Sequence, residues 1–148
     1  SPGPTAELLL YAADRAQHVE RLIRPALKRG DWVLSDRFSG STIAYQGDGR
    51  GLNLQTILDL ERIATAGVQP DLTLWLDLPL QESLKRRGAR SDDRIEAEGE
   101  AFLARVSEGF QRLSAQRGWT PVAADQSADQ VQQLIRRCLR DWLAQASQ

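Results

Sequence analysis

Residues 34–52 read LSDRFSGSTIAYQGDGRGL, and this stretch decides how the rest of the chain is understood. An acid and a base, Asp36 and Arg37, directly follow the apolar run Trp32-Val33-Leu34. That run has the character of a buried strand. Beyond it come hydroxyl side chains, one tyrosine, one glutamine and four glycines. A surface loop needs turn formers, but it does not need this mixture.

Each side chain in the stretch has a definite chemical capacity. Asp36, at a strand end, can hold a metal or a metal-bound water, or orient the arginine beside it. Arg37 offers a planar fork of donors that suits a phosphate. Ser41 and Thr42 can donate to or accept from a base edge, Tyr45 can lie against a sugar or a ring, and Gln46 adds an amide. Gly47, Gly49 and Gly51 permit tight backbone turns. Taken by itself, the Asp-Arg pair fits a structural ion pair as well as a functional loop.

Upstream, Thr5 reads as a helix N-cap with Glu7 in the first turn, where the helix dipole favours an anion. Leu8, Leu9, Ala12, Ala16, Val19, Leu22 and Ile23 recur at helical spacing. Pro25 kinks or restarts this helix and Gly30 stops it. Tyr11 and Arg15, at i and i+4, share one face. They can be a core-edge ring with a surface arginine, or a pair that stacks on a nucleobase and bonds its edge. Nothing distinguishes His18 from a solvated helix residue.

Downstream, Asn53 caps a helix whose face is read as Leu54, Ile57, Leu58 and Ile63, ended by Gly67. Residues 72–77 and 119–124 read as two more strands. A helix from Pro79 lies between them, followed by one carrying Phe102, Val106, Phe110 and Leu113. Ser127 and Gln130 form a capping-box pattern for a last helix with an apolar stripe from Val131 to Leu143. Strands alternating with helices imply an α/β fold with parallel strands and right-handed crossovers. In such sheets ligands collect beyond the carboxyl ends of the strands, where residues 34–52 begin.

Between the second and third strands, Arg86, Arg87, Arg90 and Arg94 cluster with Asp92, Asp93, Glu96 and Glu98. The run can be a solvated connection or a lid that closes arginines over polyphosphate. The balance of 19 Lys+Arg against 20 Asp+Glu, a formal net charge of -1, argues against a duplex-binding protein. One cysteine, Cys138, and one histidine, His18, exclude an internal disulfide and a cysteine-built zinc site. Without an apolar run of ~18 residues or a signal peptide, no membrane role is expected and the location expected is cytoplasmic.

Residues 34–52, with ELLLYAADRAQHVERLIRPALKRGDWV before them and PDLTLWLDLP and DDRIEAEGEAFLARVSEGF after them, closely resemble bacterial thymidylate kinase. The match runs in order from about Ala6 to Phe110, with a looser fit beyond. The DR-[FYH]-x-x-S-T-x-A-Y-Q-G signature is far more specific than a lone glycine-rich loop. The resemblance implies a P-loop NTPase-like, three-layer α/β/α fold with a parallel sheet. The chain would form a single nucleoside-monophosphate-kinase-like domain over residues 1–148, with a lid at about 86–98. It further implies transfer of the γ-phosphate of ATP to dTMP with Mg²⁺, in a homodimer packed through helices that include residues 53–67.

By the same resemblance, Tyr11 stacks on thymine and Arg15 bonds its O4 edge. Arg37 holds the dTMP phosphate, and Asp36 helps to organise Mg²⁺. Ser41 and Thr42 read the N3 edge, Tyr45 packs under the deoxyribose, and Gln46 lines the same pocket. Arg90 and Arg94 meet the ATP phosphates, Glu96 lies near the acceptor, and Arg86 stacks on adenine.

The chain departs from the family in two respects: it holds no G-x-x-x-x-G-K-[ST] motif, and the family's second strand, with the arginine-bearing loop used beside the acceptor phosphate, is missing as well. It also starts Ser1-Pro2-Gly3-Pro4 and contains no methionine. These features lead us to expect part of a longer protein, with about two strand–helix units of ~30 residues each preceding it. By itself the chain is expected to be marginal, to aggregate or to need a complementing segment, and to make no dTDP. A non-catalytic nucleotide-binding or interaction module derived from a nucleotide kinase is the alternative. Another nucleoside-monophosphate kinase would differ in preferring dCMP or AMP.

Overall fold

The computed structural model describes residues 2–87 and 99–148. Two compact units divide the chain, one of Ser1–Pro70 with Ala101–Phe110, the other of Asp71–Glu100 with Gln111–Gln148.

The first unit is helical. Helix α1 spans Pro4–His18, with Gly3 rather than Thr5 at its N-cap. Pro4 takes the first turn because its fixed φ suits a helix start, where its missing N–H costs nothing. The chain continues through a π-helical segment, Val19–Ile23, into α2, Arg24–Lys28. The widened turn directly precedes Pro25, which cannot donate to the helix ladder. Gly30, at a φ of 82°, marks the left-handed exit.

Next come α3, Ser39–Thr42, a second π-helical segment, Ile43–Gly49, and α4, Leu54–Thr65. Asn53 caps α4 as its sequence indicates, its Oδ1 accepting the Thr56 N–H at 2.9 Å. The buried face of α4, however, matches the apolar set read from spacing only at Ile57, with Leu58 half-buried. Ile57, Glu61, Ala64 and Thr65 are buried, while Leu54 and Ile63 are 49% and 72% exposed. Contact with α1 sets which side of α4 turns inward, and periodicity had weighted only the apolar residues.

Helix α6, Glu100–Arg117, brings Phe102, Leu103 and Val106 into this core through its Ala101–Phe110 stretch. Gly49 is present for space rather than for a tight turn. A Cβ there would sit 2.5 Å from Phe102 Cε2 and 2.9 Å from Val106 Cγ2. Gly49→Ala is therefore expected to cost about 1–3 kcal/mol by overpacking, read as a lowered urea midpoint at constant slope. Of the three loop glycines only Gly51, at a φ of 73°, adopts a conformation that favours glycine.

Trp32-Val33-Leu34 is not the buried strand that its composition suggests. These residues form no strand, and Trp32 and Leu34 are 74% and 101% exposed. An apolar run becomes an interior strand only when neighbouring strands bond its N–H and C=O groups. Among the described residues the only two strands pair with each other, in the second unit.

That unit holds β1, Leu74–Asp77, and β2, Thr120–Ala123, paired in parallel with Leu74 opposite Thr120 and Asp77 opposite Ala123. Two strands stand where three were expected, and the described residues do not build a three-layer sandwich. Helix α5, Leu80–Arg87, and α6 lie in sequence between the strands. Helix α7, Ala128–Ala146, starts with the anticipated capping box of Ser127 and Gln130 and packs on β2. None of its residues is fully buried, so its apolar stripe is only half covered. No helix among the described residues is long and apolar enough to cross a membrane.

Candidate functional site

The first unit gathers most of the residues singled out in the sequence. Arg15 reaches from α1 to α3, where its Nη2 donates to Thr42 Oγ1 at 2.7 Å. Its Nε lies 2.8 Å from Glu61 Oε2 on α4. Its Cζ stands 5.2 Å from the centroid of the Phe38 ring. Three segments thus converge on one guanidinium. Thr42 and Glu61 are buried at 4% exposure each, so this end of the site is formed without a ligand.

Arg37 is held differently. Its φ of 69° is unusual for a residue with a side chain. Ser35 Oγ donates to its carbonyl oxygen at 2.8 Å. The guanidinium carbon stands 5.4 Å from the centroid of Tyr45. Tyr45 in turn meets Phe102 and Phe110 at centroid distances of 6.2 and 6.0 Å. Packed aromatic rings give the arginine a fixed apolar backing. No carboxylate pairs with Arg37 among the described residues, so the Asp36–Arg37 ion pair allowed by sequence is not formed. Asp36 itself is exposed.

Gln46 is almost fully buried at 2% exposure, and its Nε2 donates to Glu7 Oε1 at 2.7 Å. Glu7, read from sequence as a helix-dipole residue, also lies 3.5 Å from Arg50 Nη2. Arg50 and Arg105 both stand over Phe102, at 5.3 and 5.9 Å from its centroid. Arg105 Nη2 donates to the Gly49 carbonyl at 2.9 Å. These groups support the Tyr45–Gly49 segment from beneath. Sequence reading missed Glu7, Arg50, Glu61 and Arg105 in these roles, since each looks like an ordinary charge on a helix or loop until the fold brings its partners together.

Tyr11 is half exposed, one turn before Arg15 on α1. Ser41 follows Phe38 in a turn closed by its N–H to the Phe38 carbonyl at 3.1 Å. Arg86, in the second unit, contacts Glu82 at 3.2 Å along α5. Arg90, Arg94 and Glu96, and with them most of the expected lid, lie outside the described residues. Among those described, no group of three or more His, Cys, Asp or Glu could hold a metal ion by itself.

Comparison with known proteins identifies the family. The profile of the family described as Thymidylate kinase matches residues 2–135. The chain belongs to the thymidylate kinase family. A thymidylate kinase from Synechococcus sp. (strain CC9605) is 66% identical over 144 residues, 97% of this chain and 69% of that protein. That of Parasynechococcus marenigrum (strain WH8102) is 66% identical over 143 residues, 97% and 68% respectively. A third, from Synechococcus sp. (strain WH7803), is 67% identical over 139 residues, 94% and 65%. The chain thus spans about two thirds of the length of these thymidylate kinases. Family membership implies the P-loop NTPase fold, of which the two-stranded parallel sheet is the part seen here.

Proposed function

We propose that this chain forms the dTMP-binding part of an enzyme that phosphorylates dTMP to dTDP with ATP and Mg²⁺. The observation that carries the reading is the Arg15–Thr42 bond, which joins side chains 27 positions apart into one polar edge. A donor fork beside a hydroxyl matches the O4 and N3 edge of thymine. Half-exposed Tyr11, one turn away, supplies a ring that can stack on the base. Arg37, exposed and backed by Tyr45, supplies the fork for the 5′-phosphate. Tyr45 would then pack below the deoxyribose, and buried Gln46 would stiffen the wall behind it.

Exposed Asp36 suits Mg²⁺, which takes one or two protein carboxylates and completes its shell with water and substrate phosphates. When bound, the ion neutralises charge on the transferring phosphoryl group. The chain's own contribution is positioning: Arg37 holds the acceptor phosphate while Arg15, Thr42 and Tyr11 hold the base. Arg86, Arg90 and Arg94 are assigned to the ATP side and Glu96 to the acceptor side by the family motif. The exposed Leu54 and Ile63 on α4 support a homodimer packed through that helix.

Calorimetric titration with dTMP, dCMP and AMP, with circular dichroism to establish folding, tests the assignment. Selective binding of dTMP is the expected result. A folded chain that binds dCMP or AMP as well as dTMP, or none of the three, would overturn it.

A further inference from the structure

We infer that Glu61 is a positioning residue for base selection: its buried carboxylate compensates and aims Arg15, so that this arginine reads an uncharged base edge and not a phosphate. The inference rests on the dTMP-binding reading above. A carboxylate 4% exposed is an expensive group to place on α4. Desolvation costs several kcal/mol per ion, and apolar replacements of buried ion pairs are often neutral or stabilising. The other buried residues of α4, Ile57, Ala64 and Thr65, carry no charge. Stability alone therefore gives no reason for a glutamate here.

Geometry supplies one. Arginine has five N–H donors in a rigid plane. Glu61 lies against the Nε side at 2.8 Å, Thr42 takes a donor of Nη2 at 2.7 Å, and Phe38 covers a face. The contact with Glu61 is ionic rather than a well-aligned hydrogen bond. With the group pinned from three segments, Nη1 is the nitrogen that these contacts among the described residues leave for a ligand. An arginine whose charge is matched at contact distance favours a neutral acceptor such as a 4-carbonyl. It also rejects a 4-amino group, since donor would face donor. Arg37, with no carboxylate partner among the described residues, keeps its charge for the phosphate.

Wild type, Glu61→Gln and Glu61→Asp are titrated with dTMP and dCMP, with and without inorganic phosphate as competitor. For Glu61→Gln, which keeps shape but not charge, dTMP affinity is expected to fall about tenfold, equivalent to about 1.4 kcal/mol. The dTMP-to-dCMP ratio should fall with it, and phosphate should compete more strongly. Glu61→Asp, with the charge kept but the reach shortened, should weaken dTMP without the gain in phosphate competition. If Glu61→Gln melts lower yet keeps wild-type selectivity and phosphate competition, Glu61 is only structural and the inference is overturned. Should Glu61→Gln fail to fold, Glu61→Asp decides it, unchanged dTMP affinity being the overturning result. A folded wild type that does not prefer dTMP would instead remove the binding assignment itself, and this inference with it.

Discussion

Arg37→Gly is expected to weaken dTMP binding about a hundredfold while leaving the fold as stable as before. The two halves of this result have separate causes. A guanidinium–phosphate pair is a charge-assisted, two-pronged contact, and its loss at about 2.8 kcal/mol corresponds to a factor of 100. In the folded chain, meanwhile, Arg37 sits at a φ of 69°. Such a conformation costs a side-chain-bearing residue about 1–3 kcal/mol. Glycine relieves that cost, offset by the roughly 0.5–1 kcal/mol of extra backbone entropy it loses on folding. Thymidine, which has no phosphate, is the control ligand and should bind both proteins equally. If thymidine weakens as much as dTMP, Arg37 shapes the pocket and does not hold the phosphate.

Arg15→Ala should be the most damaging single change to stability. It strips Glu61 of the cation 2.8 Å away and leaves a carboxylate buried at 4% exposure. Removing one partner of a buried pair costs about 3–5 kcal/mol, a fall in melting temperature on the order of 10 °C for a chain of this size. The double replacement Arg15→Met with Glu61→Leu should recover most of that loss, because two apolar side chains leave no buried charge unmatched. It should not recover dTMP binding, since the donor fork is gone. Thermal unfolding followed by circular dichroism checks the first part and calorimetry the second. An Arg15→Ala protein within about 1 kcal/mol of wild type would show that the Glu61 carboxylate is accommodated without Arg15.

Local chemistry made much of the fold legible. Asn53 and the Ser127–Gln130 box are visible in sequence because a cap needs only residues within one turn. Strands at residues 74–77 and 120–123 fall inside the predicted runs for a similar reason: short apolar segments bounded by turn signals leave few alternatives. Trp32-Val33-Leu34 carries the same signal and forms no strand. A strand is completed by its neighbours, and composition does not report whether they are present. Helix α4 teaches a related lesson. Its spacing nominated Ile63 for the interior, yet contact with α1 turned Glu61 inward instead.

By itself the sequence determined the family and the i, i+4 spacing of Tyr11 and Arg15 on one helix, and it nominated the loop of residues 34–52 for the site. Those conclusions rest on residue types and short spacings, which survive in one dimension. Only the tertiary structure decided that Arg15 bonds Thr42, that Glu61 faces Arg15, that Gln46 turns to Glu7, and that Arg37 has no carboxylate partner among the described residues. The physical reason is that an ionic side chain owes its role to the charge, or lack of charge, that the fold brings within a few ångströms of it.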